Sequence, residues 1–414
     1  LDHGAYVMLG NDELFLEMLA QKKGHEMIKD YVGWAMFASK SMGVKIVNPG
    51  GISAFKFNQR SLDVDQNHDH WQISPRQIVK ELALCLSDLG VPHPLHIHAS
   101  NLGVPGNIKS TLETIDALDG LPGHLTHVQF HTYGNEGDKK FSSAARVLVE
   151  KLKARPNISI DVGQIIFGQT VTASGDTMKQ HANSNYANPK KWVAGDIECD
   201  AGCGVVPFKY KEESFVNALQ WAIGLEIFLL MDDPWRVVLT TDHPNGGPFT
   251  SYPHLIRLLS DKSFRDEQLN NLHPEVLTHT VLKDIKKELS LYEIAILTRS
   301  APAKLLGLSD YGNLRAGSCA DIAIYSKNSN YEEMFKNPKY VFKGGELVCK
   351  NGEIVSAPVG GIHFVKTDYD SNVKKYISNF YEKNITSSFA NSEIGNDELK
   401  ICANNGKILV TLPN

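Results

Sequence analysis

The sequence predicts an α/β fold built on a parallel sheet, followed by a smaller all-β part, and three observations carry that expectation. Between Asp12 and Asp310, short β-branched and apolar runs alternate with amphipathic segments of helical length, as in repeating strand–helix units whose strands are covered on both faces. After about residue 310 the texture changes to short strands punctuated by Gly312, Gly317, Gly344, Gly345 and Gly352, as in a small β-sandwich. The length of 414 residues holds an α/β barrel of ~250 residues together with a second, smaller unit.

Taken in order, the expected strands cover residues 44–48, 95–99, 126–130, 158–162 and 237–241, each mostly apolar with an isolated polar interruption. Ser74 before Pro75 predicts a capped helix start, with the helix over 77–89 and Gly90 ending it. Ser110 with Glu113 has the spacing of a capping box ahead of Ile115 and Leu118. Such units wind either into a barrel or into a doubly wound sheet. No GxGxxG follows the first expected strand, which weighs against a dinucleotide-binding sheet. Short strands over 321–325 and 340–342 belong to the β unit. The tail from Lys366, rich in Asn, Ser and Lys, reads as a further element or an extension. The chain thus divides at 1–310, 311–365 and 366–414.

Composition narrows the function. A net charge of −5 without a basic run speaks against nucleic acid or a charged membrane surface as partner. The longest apolar stretch, 215–231, is broken by Asn217, Gln220 and Glu226 and is too short and polar to span a bilayer. Six cysteines without regular spacing are no disulfide framework, which predicts a reducing, cytoplasmic setting. The start, Leu1-Asp2-His3-Gly4, shows no signal-peptide pattern and reads like the interior of a longer protein.

The polar interruptions carry the chemistry. Lys45 lies among Val44, Ile46 and Val47; His98 ends the run from Leu95; His131 follows the run from His127; and Asp242 follows the run from Val237. In a parallel barrel the active site forms at the carboxyl ends of the strands, where these four groups converge. Singly, each has an ordinary reading, such as a core histidine, a snorkelling lysine or a turn-initiating aspartate. Together they predict a metal site, because two imidazoles and a carboxylate suit zinc or a similar divalent ion. An ammonium cannot bind a cation, but burial favours the neutral amine. The amine adds carbon dioxide to give an anionic carbamate whose two oxygens can bridge two ions. Asp242 can be a ligand and also carry protons between water and a substrate nitrogen. His243 and Asn245, beside Asp242, are the candidates for touching substrate. Cys199 and Cys203 form a single CxxxC and read as ordinary thiols.

Lysine, histidine, histidine and aspartate on successive strand ends resemble the amidohydrolase superfamily. So does the exit from the barrel, RSAPAKLLGL from Arg299 followed by GNLRAGSCADIAIY from Gly312. Longer stretches are similar to the A subunits of formylmethanofuran dehydrogenases: GVKIVNPGG from Gly43, HIHASNLG from His96, HVQFHTYG from His127, ECDAGCG from Glu198 and TTDHPNGGPF from Thr240. The formyltransferase/hydrolase complexes of one-carbon metabolism share much of this pattern. The resemblance implies a metal-dependent-hydrolase (β/α)8 barrel with a flanking β-sandwich, and two divalent ions, zinc foremost. Lys45 would be the carboxylated bridging lysine, His98 and His131 ligands, and Asp242 ligand and proton shuttle. His98 is chosen over its competitor His96 because Ala99-Ser100-Asn101 follows it, as in cyclic amidases; His131 is chosen over His127 because it falls at its strand's end. The implied reaction condenses formate with methanofuran to N-formylmethanofuran, reversibly. The implied partners are the other subunits of a redox complex, one of them holding pterin-bound molybdenum or tungsten. Alternatives are another amidohydrolase, such as a formyltransferase/hydrolase subunit, or a non-catalytic scaffold. The superfamily's first strand carries a His-x-His pair, and no such strand precedes Lys45; the expectation is a barrel lacking that strand and holding fewer than two metals.

Overall fold

The computed structural model describes residues 2–59, 61–174, 204–402 and 407–413. Strand β1 (Tyr6–Met8) and helices α1 (Glu13–Ala20) and α2 (His25–Ser39) lead to β2 (Gly43–Val47). Helices α3 (Gly51–Lys56) and α4 (Pro75–Asp88) lead to β3 (Leu95–His98), and α5 (Ile108–Ala117) leads to β4 (Gly123–Leu125). The short hairpin of β5 (Tyr133–Gly134) and β6 (Ser142–Ser143), then α6 (Ala145–Lys153), precede β7 (Ile158–Asp161). An antiparallel ribbon of β8 (Gly168–Ser174) and β9 (Gly204–Tyr210), then α7 (Phe215–Leu230), precede β10 (Val237–Val238).

Six of these strands form one parallel sheet in the order β1-β2-β3-β4-β7-β10. The order rises steadily along the chain, without the reversal that defines a doubly wound sheet. One face is aliphatic: Val44, Ile46, Leu95, Ile97, Leu125, Ile158 and Ile160 are buried in the main core with residues of the flanking helices, among them Ile78 and Leu82 of α4 and Leu148 and Leu152 of α6. The other face is polar. Register pairs Met8 with Lys45, Lys45 with His96, His96 with His124 and His124 with Ser159, and because side chains alternate along a strand, these residues share one layer. The next layer toward the carboxyl ends holds Val47, His98 and Asp161.

Several boundaries differ from expectation. The strand expected over 126–130 is instead β4, ending at Leu125, followed by a 3-10 turn over Val128–His131. The Thr126 amide still donates to Ile97 O at 3.0 Å, but His127 takes a left-handed φ of 37° and turns the chain out of the sheet. His131 therefore ends a turn, not a strand. Ser110 does not cap α5: it lies inside the helix and donates to Asn107 O at 2.9 Å. Ser74 does cap α4, its Oγ accepting from the Gln77 amide while its own amide donates to Gln77 Oε1, and Gly90 takes φ 64° beyond the helix end. A strand does precede Lys45, since β1 pairs with β2, but it carries Tyr6 and Met8 rather than a histidine pair.

Beyond the main sheet, β11 (Ile322–Tyr325), β12 (Pro338–Lys343), β13 (Glu346–Lys350) and β14 (Glu353–Ile354) form one antiparallel sheet. A second sheet packed on it as a sandwich is not found among the described residues. Strand β15 (Ile362–Val365) pairs in parallel with β16 (Ile408–Thr411) of the tail. The tail also docks by a helix over Val373–Asn384, whose Val373, Ile377 and Phe380 are buried in the main core. Among the described residues no helix is long and apolar enough to cross a membrane. Cys199 and Cys203 lie outside the described residues.

Candidate metal centre

At the carboxyl ends of β3 and β4, His98, His127 and His131 are buried, and each offers a ring nitrogen such that the three atoms lie within 4.8 Å of one another. Strand β3 presents His98 directly. The other two come from the turn after β4: His127 starts it in a left-handed conformation and His131 closes it. The rings of His127 and His131 stack with centroids 5.3 Å apart, while His98 meets both edge-on. Burial, with His98 and His131 beside it, pushes His127 well below the usual imidazole range, and its Nδ1 finds no hydrogen-bond partner among the described residues. A buried polar atom left in that state is costly in a closed core. Three ring nitrogens gathered in this way instead fit a divalent cation, for which histidine nitrogen is a standard donor.

Asp242 stands beside this cluster. It follows β10 with a left-handed φ of 48°, and Asn245 donates from Nδ2 to its Oδ2 at 2.9 Å. Burial raises its carboxyl to about 6, helped by the negative charge of Asp161 and opposed by the Asn245 hydrogen bond and by Lys45 and His98. Gly163 lies between the two halves of the site. A methyl group there would come within 2.4 Å of His127 Cβ and 3.4 Å of Asp242 Cβ. Lys45 is half-buried on the same face, one layer below His98.

The other expected contacts are distributed differently. Asn245 holds Asp242, and the backbone amides of Asn245 and Gly246 are spent inside the turn, on Asp242 O and Thr241 O. His243 is exposed at the rim, its Nδ1 accepting from the Phe249 amide at 3.3 Å. His96 is not part of the cluster. It packs lower in the sheet, stacked on Tyr6 and hydrogen-bonded through Nδ1 to His93 Nε2 at 3.2 Å. Of the expected ligands the structure brings together His98 and His131, and it adds His127. Asp161 also belongs to the polar layer; it is a polar break in the apolar run over 158–162, the same kind of signal as Lys45 and His98, and was not singled out from the sequence. A separate group on the helices, His25 of α2 with Glu81 and Asp88 of α4 at 2.8 and 3.0 Å, is an ion-pair clasp between the two helices.

Three imidazoles and a carboxylate gathered at the carboxyl side of a parallel α/β sheet are a donor set that could hold a divalent metal in a hydrolase-type site. A profile of the amidohydrolase family matches residues 2–356, and the chain belongs to that family. It is 42% identical over 389 residues to the A subunit of the formyltransferase/hydrolase complex Fhc of Methylorubrum extorquens, covering 92% of this chain and 70% of the relative. It is 39% identical over 385 residues to protein FwdA of Methanocaldococcus jannaschii, covering 88% of this chain and 67% of that one. The crystal structure of the Methylorubrum extorquens complex FhcABCD with methylofuran contains a chain that matches with a TM-score of 0.93 and 39% identity, over 100% of this chain and 76% of that chain. These relatives bear out the resemblance, read from the sequence motifs, to the formylmethanofuran-related A subunits.

Proposed function

We propose that this chain is the amide-forming and amide-cleaving component of a multi-subunit complex, interconverting formate plus methanofuran with N-formylmethanofuran. The observation that carries the reading is the buried triplet of His98, His127 and His131 with Asp242 across Gly163. These residues would hold divalent metal, with zinc best matched to nitrogen and carboxylate donors. When bound, such an ion polarises the formyl carbonyl and makes water more acidic. The protein's own part is proton transfer. Asp242 accepts a proton from the attacking water as the new C–O bond forms, and delivers it to the amine nitrogen as the C–N bond breaks; condensation is the reverse. Lys45 would join as its carbamate, formed from the amine and carbon dioxide with loss of a proton, so that a second ion can share the site. The steadily rising strand order supports a (β/α)8 barrel closed around this polar face, and the antiparallel sheet of β11 to β14 supports a flanking β unit.

The 42% identity to the Fhc protein favours a second reading of the same site, in which the complex passes the formyl group on and the chain releases formate from a formylated furan amine. The test is formate release from N-formylmethanofuran and from N-formylmethylofuran by the purified complex, alongside metal analysis. Bound metal with turnover of either substrate supports the site; absence of both metal and turnover in the intact complex would leave a scaffold role. Lys45→Ala should lose metal and recover part of it with a short carboxylic acid.

A further inference from the structure

We infer that Asp161, which is outside the proposed ligand set, is the positioning residue that fixes the histidine turn relative to Asp242; this rests on the metal-site reading above. Asp161 is the last residue of β7, is 5% exposed, and faces the polar layer. Its Oδ1 accepts two hydrogen bonds, from the His127 backbone amide at 2.9 Å and from Thr240 Oγ1 at 2.6 Å. Its Oδ2 pairs with His124 Nε2 at 3.2 Å, and the other nitrogen of that ring pairs with Ser159 Oγ at 2.9 Å. Thr240 in turn accepts the Gly163 amide at 2.9 Å, and its carbonyl accepts the Gln164 amide at 2.9 Å.

One oxygen atom therefore holds both halves of the site. On one side it fixes the amide of the left-handed residue that starts the turn bearing His127 and His131. On the other it fixes the hydroxyl two residues before Asp242. The exit of β7 fits between them, because Gly163 has no room for a side chain against His127. Without an acceptor at Asp161 Oδ1, a buried amide and a hydroxyl lose their partner, and the turn loses the contact that holds it in an unfavourable φ. A carboxylate that only satisfied core donors would not need to join, through one atom, the two segments that carry the reactive groups. Supporting residues of this kind typically change metal affinity or activity ~10–100-fold when removed.

The test uses hydrogen–deuterium exchange on the full chain, parent against Asp161→Ala, Asp161→Asn and Thr240→Val, with zinc affinity by chelator competition. In Asp161→Ala, segments 126–132 and 239–245 should lose protection together, while 43–47 keeps its own. Asp161→Asn keeps an acceptor oxygen and should restore most of the protection in both. Thr240→Val should loosen 239–245 and the Gly163 amide that its hydroxyl accepts, and leave 126–132 protected. Zinc affinity should fall ~10–100-fold in the alanine variant and much less in the asparagine variant. Unchanged exchange at the two segments, a uniform rise across the sheet, or an asparagine variant as loose as alanine would overturn the inference. If Asp161→Ala does not fold, the asparagine and Thr240→Val patterns still decide it. If the parent binds no zinc, the metal-site reading fails, while the exchange pattern still judges the positioning role.

Discussion

Asp242 shows how one residue's surroundings set both chemistry and stability. Its carboxyl is raised from 3.8 to about 6 by burial and then by Asp161. A raised carboxyl contributes stability that is fully present below the unfolded value and lost as pH rises through the folded value. In metal-free chain, Asp242→Asn should therefore raise the melting temperature at about pH 8 and leave it nearly unchanged at about pH 4; a calorimetric scan at both pH values checks this. The same variant should lower formamide cleavage by ~10²–10⁴-fold, the usual scale of a lost general acid or base. The histidines give a sharper residue-scale test. His127→Ala should lose metal, because its ring belongs to the triplet, whereas His96→Ala should keep it, because that ring packs against Tyr6 and His93. Metal analysis of both variants decides, and the opposite pattern would move the site down to the strand pair His96 and His98. Lys45, His98, His131 and Asp242 were legible as polar breaks in apolar runs. His127 was visible but ranked behind His131. Asp161 was likewise a polar break, in the run over 158–162, but its role was not legible, because it depends on partners 34 and 79 residues away.

At the scale of elements, what is locally encoded was legible and what is enforced by tertiary contact was not. The start of α4 is local: Ser74 and Gln77 exchange side-chain and backbone bonds, with Pro75 in the first turn. Ser74→Ala should cost ~1 kcal/mol, read as a lower denaturation midpoint with unchanged slope. The start of α5 shows the limit of the same rule, since Ser110 and Glu113 have capping spacing but the helix begins earlier, after Asn107. The end of β4 is the clearest case. Val128 and Phe130 alternate as in a strand and are buried, yet they sit in a 3-10 turn. The alternation is satisfied by burial in the turn, and the left-handed step at His127 is held by Asp161 and by the space at Gly163, neither of which is near in sequence.

For the whole molecule, the sheet's two faces divide the labour. The aliphatic face joins the helices into one core, whereas the polar face stacks Lys45, His96, His124 and Ser159 beneath the layer of His98 and Asp161. The parallel sheet was legible from the alternation of strand and helix, and the small antiparallel sheet from its glycines; the docking of the tail was not, because its contacts, such as Thr367 Oγ1 to Gly33 O at 2.7 Å, join residues 334 apart. A metal held at the polar face would draw ligands from β3, from the turn after β4 and from the segment after β10, so it would tie together parts of the sheet distant in sequence. An ion that binds only the folded chain stabilises it by mass action, ~2.7 kcal/mol at a free concentration one hundred times Kd. Stripping the metal with a chelator should therefore lower the melting temperature by a few degrees, and zinc should restore it with a concentration dependence that His127→Ala abolishes. Exchange should localise the effect, with 95–103, 126–132 and 239–245 gaining protection together on zinc addition while the antiparallel sheet of β11 to β14 does not respond. Zinc protection confined to surface helices, or equal stabilisation of His127→Ala, would show that the ion binds elsewhere and that the triplet is only a packed cluster of rings.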